Sequence, residues 1–367
     1  MSRAARCLAA LAWLLPAACS SGGGDPAVCD PACQSWQQCV DGRCAPTPDG
    51  CKDDADCRAG EVCDTSTNRC EPLAAYRIGH RSAVFSDPAR AGHQVPVEIY
   101  YPAAEAGDDV PLLAAGSYGL VVFGHGRMGP VEAYANIWTA LVAAGLVAAL
   151  PRTEMGQAPD HEALAADLVL CAQRIRTGDP DGAFAGRIGK PAVMGHSMGG
   201  AVAFMAADLD ASPFEALAVL SPGSLDAAFE AAERLELPGL LLGGTDDCLT
   251  PIDEVTEPLF ELLGSTDKTL IRIQGAGHCQ FSEPEENCEL ARTRLCGPEE
   301  PDPSLSREAQ HELSARLLAP WLASRLAGDT GAAAAFEQLL EQAQGFSYRD
   351  ARDEKAGSVS RSRDAGR

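Results

Sequence analysis

Val193-Met194-Gly195-His196-Ser197-Met198-Gly199-Gly200 decides how the rest of this chain is read. It follows a short apolar run at 191–194 and leads into Ala201-Val202-Ala203-Phe204-Met205-Ala206, which has the character of a helix. Strand, tight turn and helix around G-x-S-x-G is the setting of a nucleophile elbow, in which the turn holds a serine in a strained conformation with its hydroxyl at the carboxyl edge of a sheet. Gly195 and Gly199 are then required because strand and helix pass too close for a Cβ. A serine so placed needs an acid and then a histidine further along the chain.

Outward from the elbow, short apolar runs alternate with helical spacing. Residues 95–101, 119–123, 146–150, 216–220, 239–242 and 270–273 read as strands, and 131–144, 161–176 and 307–340 as helical. Pro96 puts the first run near a sheet edge or at a strand start. The alternation predicts an α/β class, a mostly parallel sheet with helices on both faces. Residues 224–236 read as a short helical insertion, too small for a lid, which predicts an open, shallow cleft.

In such a sheet functional residues collect past the carboxyl ends of strands. After 240–242 comes Gly243-Gly244-Thr245-Asp246-Asp247-Cys248-Leu249-Thr250-Pro251, and after 270–273 comes Gln274-Gly275-Ala276-Gly277-His278-Cys279. Serine, aspartate and histidine thus follow in the required order. A serine hydroxyl is a weak nucleophile at neutral pH. His278 would take its proton, and Asp247 or Asp246 would fix the imidazole tautomer. The oxyanion needs two backbone donors: the N–H of Met198, and that of Arg127 in Gly124-His125-Gly126-Arg127-Met128-Gly129, with Gly126 as the alternative. Among the other histidines, His125 reads as structural, and His196 as pointing away from the chemistry. His161 and His311 read as surface or packing residues, and His80 and His93 lack a partner motif.

These residues resemble an α/β-hydrolase of the dienelactone hydrolase, chlorophyllase and platelet-activating-factor acetylhydrolase group, and are similar to cutinase-like polyester hydrolases. The resemblance covers roughly residues 76–325. It starts at Tyr76-Arg77-Ile78-Gly79-His80-Arg81 and Val95-Pro96-Val97-Glu98-Ile99-Tyr100-Tyr101-Pro102, and runs through Phe123-Gly124-His125-Gly126, the elbow and both later loops. The acid of that group commonly reads G-x-x-D-x-x-x-P. Gly244, Asp247 and Pro251 fit, which favours Asp247 over Asp246. The resemblance implies the α/β-hydrolase fold and ester hydrolysis through an acyl-enzyme, with no metal and no organic cofactor. Small-molecule, lipid or polymer esters are the expected substrates. A peptidase or thioesterase stays open on the same triad. A catalytically silent binding protein would be expected to carry a broken one.

A net charge of −23 argues against nucleic acid and against electrostatic docking to anionic lipid. The start reads as an export signal: Arg3 and Arg6, an apolar core at 7–15, then Pro16-Ala17-Ala18-Cys19. The last four resemble the lipobox of bacterial lipoproteins, which implies an acylated Cys19, although Pro16 stands where leucine is usual. The alternative is an ordinary signal peptide cleaved nearby. Either way the protein is expected to be exported, lipid-anchored to a bacterial membrane in the cell envelope or secreted. Residues 20–28 read as a linker. Residues 29–71 form a disulfide-rich module of two four-cysteine units, Cys29, Cys33, Cys39, Cys44 and Cys51, Cys57, Cys63, Cys70. The module lacks histidine and any C-x₂-C, which disfavours zinc, and it reads as a spacer or as a binder of an unknown surface partner. Residues 75–342 are the catalytic domain, and 343–367 a polar tail expected to be disordered. Cys248 adjoins the proposed acid and Cys279 the proposed base. The favoured pairing is Cys248 with Cys279 and Cys288 with Cys296, the alternative Cys279 with Cys288, and Cys171 reads as a free, buried thiol.

Overall fold

The structure, a computed structural model, describes residues 37–40, 43–46, 61–64, 69–72, 76–113, 116–178 and 181–352. The export signal, Cys19, the linker and the pairing of the eight N-terminal cysteines lie outside the described residues. What is described of that module is two antiparallel hairpins. β1 (Gln37–Val40) pairs with β2 (Arg43–Pro46), and β3 (Glu61–Asp64) with β4 (Arg69–Pro72). Cys39 stands opposite Cys44, and Cys63 opposite Cys70. In each unit the third and fourth cysteines therefore share one hairpin register.

The remaining strands form one sheet: β5 (Arg77–Asp87), β6 (His93–Ala103), β7 (Gly107–Asp108), β8 (Tyr118–Gly124), β9 (Val147–Pro151), β10 (Ile188–His196), β11 (Ala216–Leu220), β12 (Gly239–Gly244), β13 (Lys268–Ile273) and β14 (Phe346–Asp350). Their order is β14-β13-β12-β11-β10-β8-β9-β6-β5-β7. The six strands from β9 to β13 across the middle run parallel, with antiparallel partners outside them at β6 and β14. This is the mostly parallel α/β sheet expected from the alternating pattern, and it agrees with the fold that the resemblance to α/β-hydrolases implied.

The helices are α1 (Ala135–Ala143), α2 (His161–Thr177), α3 (Met198–Asp208), α4 (Asp226–Arg234), α5 (Thr256–Leu262), α6 (Glu286–Leu295), α7 (Arg307–Ala327) and α8 (Thr330–Gln342). The two-residue period of a strand splits the core into two layers. Leu120 and Val122 of β8 pack with α2 to α5, whereas Val121 and Phe123 pack with α1, α7 and α8. Both faces of β8 are buried, so it reads as a continuous apolar run rather than an alternating one.

Two expectations change. Residues 346–350, placed in the polar tail, instead form β14. Phe346 is buried in the second layer, and the strand pairs antiparallel with β13. The segment at 224–236 does contain helix α4, but α4 buries Ala228, Ala231 and Ala232 in the first layer. The helix beside the cleft is α6, which has no buried residue and no apolar period to announce it.

Candidate active site

Ser197 sits between β10 and α3 with φ 55° and ψ −124°, a backbone region costly for a non-glycine residue. Two features enforce it. The Ser197 N–H donates to Leu220 O at 3.0 Å, and its carbonyl accepts from Gly223 N–H at 2.7 Å. The flanking glycines allow the approach. A Cβ on Gly195 would lie 2.2 Å from Gly199 O, and one on Gly199 would lie 2.0 Å from Gly124 O.

The three polar residues of the later loops meet at this turn. Ser197 Oγ lies 2.9 Å from His278 Nε2, and His278 Nδ1 lies 2.8 Å from Asp247 Oδ2. Asp247 Oδ1 accepts the N–H groups of Leu249 and Thr250, each at 2.9 Å, and the Thr250 hydroxyl stands 3.0 Å from Oδ2. Burial pushes the Asp247 carboxyl up, but the His278 ring and these hydrogen bonds outweigh it and hold the group below its ordinary value. Asp246 turns elsewhere: its carboxylate accepts from the N–H and hydroxyl of Ser304 at 2.9 and 2.8 Å.

Arg127 lines the cleft in the turn after β8, and Met198, buried, opens α3 directly after Ser197. The Arg127 side chain is tied to Gln157 O across the mouth. Gly126, the alternative donor, has its N–H committed to Tyr134 Oη at 2.7 Å.

Sequence reasoning missed three supports. Gln310 of α7, fully buried, clasps Gly277 with its amide: Oε1 accepts from Gly277 N–H at 3.0 Å, and Nε2 donates to Gly277 O at 2.9 Å. This fixes the backbone just before His278. The other two are Tyr134 and His196. His196, expected to point away, is buried with its ring centroid 4.8 Å from that of His278. Its Nε2 faces His278 O at 3.1 Å and must carry the proton, so Nδ1 accepts from the Tyr134 hydroxyl at 3.1 Å. Tyr134 Oη in turn accepts from Gly126. One buried chain of hydrogen bonds thus joins the turn after β8 to the loop of His278.

Burial, helped by the neighbouring His278, drives the His196 ring down to about 3, so it stays neutral in the fold. The unfolded chain takes up that proton near pH 6.5, and the folded one not until about pH 3. Stability is therefore full above 6.5 and falls with pH between those limits, by up to about 1.4 kcal/mol per pH unit. Urea midpoints measured from pH 7 to pH 4 should fall more steeply for the wild type than for His196→Gln. Equal slopes would contradict this account.

Both disulfides bind α6. Cys248 pairs with Cys296, and Cys279 with Cys288. The favoured scheme, Cys248 with Cys279, is wrong, and the alternative Cys279 with Cys288 is the one formed. The cysteines beside Asp247 and His278 each reach outward to opposite ends of α6 instead of to one another. By loop-closure entropy, separations of 48 and 9 residues correspond to roughly 4 and 2.5 kcal/mol taken singly. Cys171 is free and buried, as expected.

The result is a cleft of about 670 Å³ lined by the Gly126–Gly129 turn, Ser197, His278, Thr250 and α6. It is walled on one side by α6, so it is less open than the short insertion at 224–236 suggested. Among the described residues, no group of three or more His, Cys, Asp or Glu side chains could hold a metal ion.

A family model described as PETase, PET hydrolase-like, matches residues 166–296. That stretch contains Ser197, Asp247, His278 and both described disulfides. No curated protein matches the chain. With its parallel sheet and this similarity, the chain is an α/β-hydrolase of the carboxylic ester hydrolase class.

Proposed function

We propose that the protein is a serine esterase that works through an acyl-enzyme on Ser197. The observation that carries this reading is the continuous line from Ser197 Oγ through both nitrogens of His278 to Asp247, opening on a cleft. His278 Nε2 takes the hydroxyl proton as Oγ attacks the ester carbonyl. The imidazolium is stabilised by Asp247, and the oxyanion by the N–H groups of Met198 and Arg127. Collapse of the tetrahedral intermediate breaks the bond to the alcohol, which leaves with the proton from Nε2. Water then attacks the acyl-Ser197 carbonyl, giving its proton to His278, and the acid departs as Oγ is reprotonated.

The similarity to a PET hydrolase-like family and the apolar side chains in the cleft support esters of apolar acids or alcohols, polyesters among them, over amides. A fluorophosphonate probe should label the wild type stoichiometrically and Ser197→Ala not at all. p-Nitrophenyl esters should turn over far faster than the matching anilides. Labelling that survives in Ser197→Ala would sink the assignment, and turnover of anilides alone would sink the ester specificity.

A further inference from the structure

The cleft has one wall that the core does not hold. Helix α6 enters after the His278 loop and buries none of its own residues. Its attachments are the two disulfides, a backbone cap by Glu285, a contact from Asn287 to Met128 O, and ion pairs of Glu289 with Arg307 and of Arg292 with Asp302. The carboxylate partner of each ion pair is exposed to solvent, which keeps the contribution of both small. The position of α6 therefore depends chiefly on cysteines that adjoin Asp247 and His278.

One side of that helix faces the cleft. Asn287, Leu290, Ala291, Arg294 and Leu295 all line it, at the i, i+3, i+4, i+7, i+8 spacing of a single stripe. Leu290 is 46% and Leu295 78% exposed. Only two other large apolar side chains among the described residues, Val84 and Leu209, are comparably open to solvent. Leu249, next to Cys248, adds a third leucine to the cleft. Apolar side chains in a row beside a reactive centre gain their burial from whatever binds there.

The geometry points to α6 as the substrate-selecting element: its leucines receive a long apolar chain of an ester whose carbonyl lies at Ser197, and the two disulfides fix that wall in register with the acid and the base. The inference rests on Ser197 being the nucleophile. The ratio of kcat/KM for a long ester to that for p-nitrophenyl acetate tests it, with p-nitrophenyl decanoate placing the chain on the acyl side and decyl acetate on the alcohol side. In Leu290→Ser/Leu295→Ser the ratio should fall about tenfold in at least one series, equivalent to about 1.4 kcal/mol. Leu209→Ser, exposed outside the cleft, should leave both ratios as in the wild type. Fluorophosphonate labelling of the double variant separates the two readings. Full labelling with both ratios unchanged overturns the role of α6 and leaves the nucleophile intact. A fall in the Leu209→Ser ratios as large as in the double variant would also overturn it.

Discussion

Asp247→Asn is expected to lower kcat by about 10⁴-fold with little change in KM, the size of effect seen when a triad acid is made neutral. The surroundings dictate how the amide would sit. The N–H groups of Leu249 and Thr250 both point at Oδ1, so they hold the amide oxygen there. The NH₂ group is then left at the Oδ2 position, 2.8 Å from His278 Nδ1. A donor at that place makes Nδ1 an acceptor and moves the ring proton to Nε2. Nε2 can then no longer accept from Ser197. Steady-state kinetics on p-nitrophenyl acetate measure the loss. Asp246→Asn, which disturbs the ties to Ser304 and to the Thr245 hydroxyl, should keep most of the activity. If Asp246→Asn were the more damaging change, the acid would be misassigned.

Gly199→Ala should be nearly as severe through sterics alone. The new methyl would lie 2.0 Å from Gly124 O and 2.7 Å from His125 O, both backbone atoms of a buried strand end. Neither can rotate away as a side chain could. Relief requires α3 to move off β8, which separates the Met198 N–H from the Arg127 N–H. We expect a stability loss of about 3 kcal/mol or more, and about 10²- to 10³-fold in kcat from the displaced donor. Gly156→Ala, where a Cβ meets nothing within 4 Å, is the matched control. Urea melts and kinetics on both variants decide, and a Gly199→Ala enzyme with wild-type kcat would refute the close-approach argument.

The parallel strands were legible because a strand buried on both faces must be apolar throughout, as 119–123 and 216–220 are. The Ser197, His278 and Asp247 line was legible because its loops follow such strands in a fixed order. The family spacing chose Asp247 over Asp246, and the structure shows the physical difference: one carboxylate turns inward to the imidazole, the other outward to Ser304. What escaped was set by direction in space. Adjacency of Cys248 and Cys279 to the acid and base suggested a bond between them, but spacing along a chain does not say where a thiol points. Helix α6 hides because Glu286-Asn287-Cys288-Glu289-Leu290-Ala291-Arg292-Thr293-Arg294-Leu295 packs no face into the core. Gln310 and His196 look ordinary in sequence, since their importance lies in which backbone groups their neighbours leave exposed.

Strand β14 bears on how the molecule behaves toward its own kind. It ends the sheet with Arg349 and Asp350, charges locked to Glu257 and Arg352. At the far edge β7 is only two residues long. It pairs only with Gly79 and His80 of β5, so the charged β14 border is the poorer template for another strand. Trimming the chain after α8, as its polar composition invites, would uncover the backbone of Thr269 to Ile273 on β13. Strand β14 therefore covers an edge of β13 that would otherwise stand open to pairing with another strand.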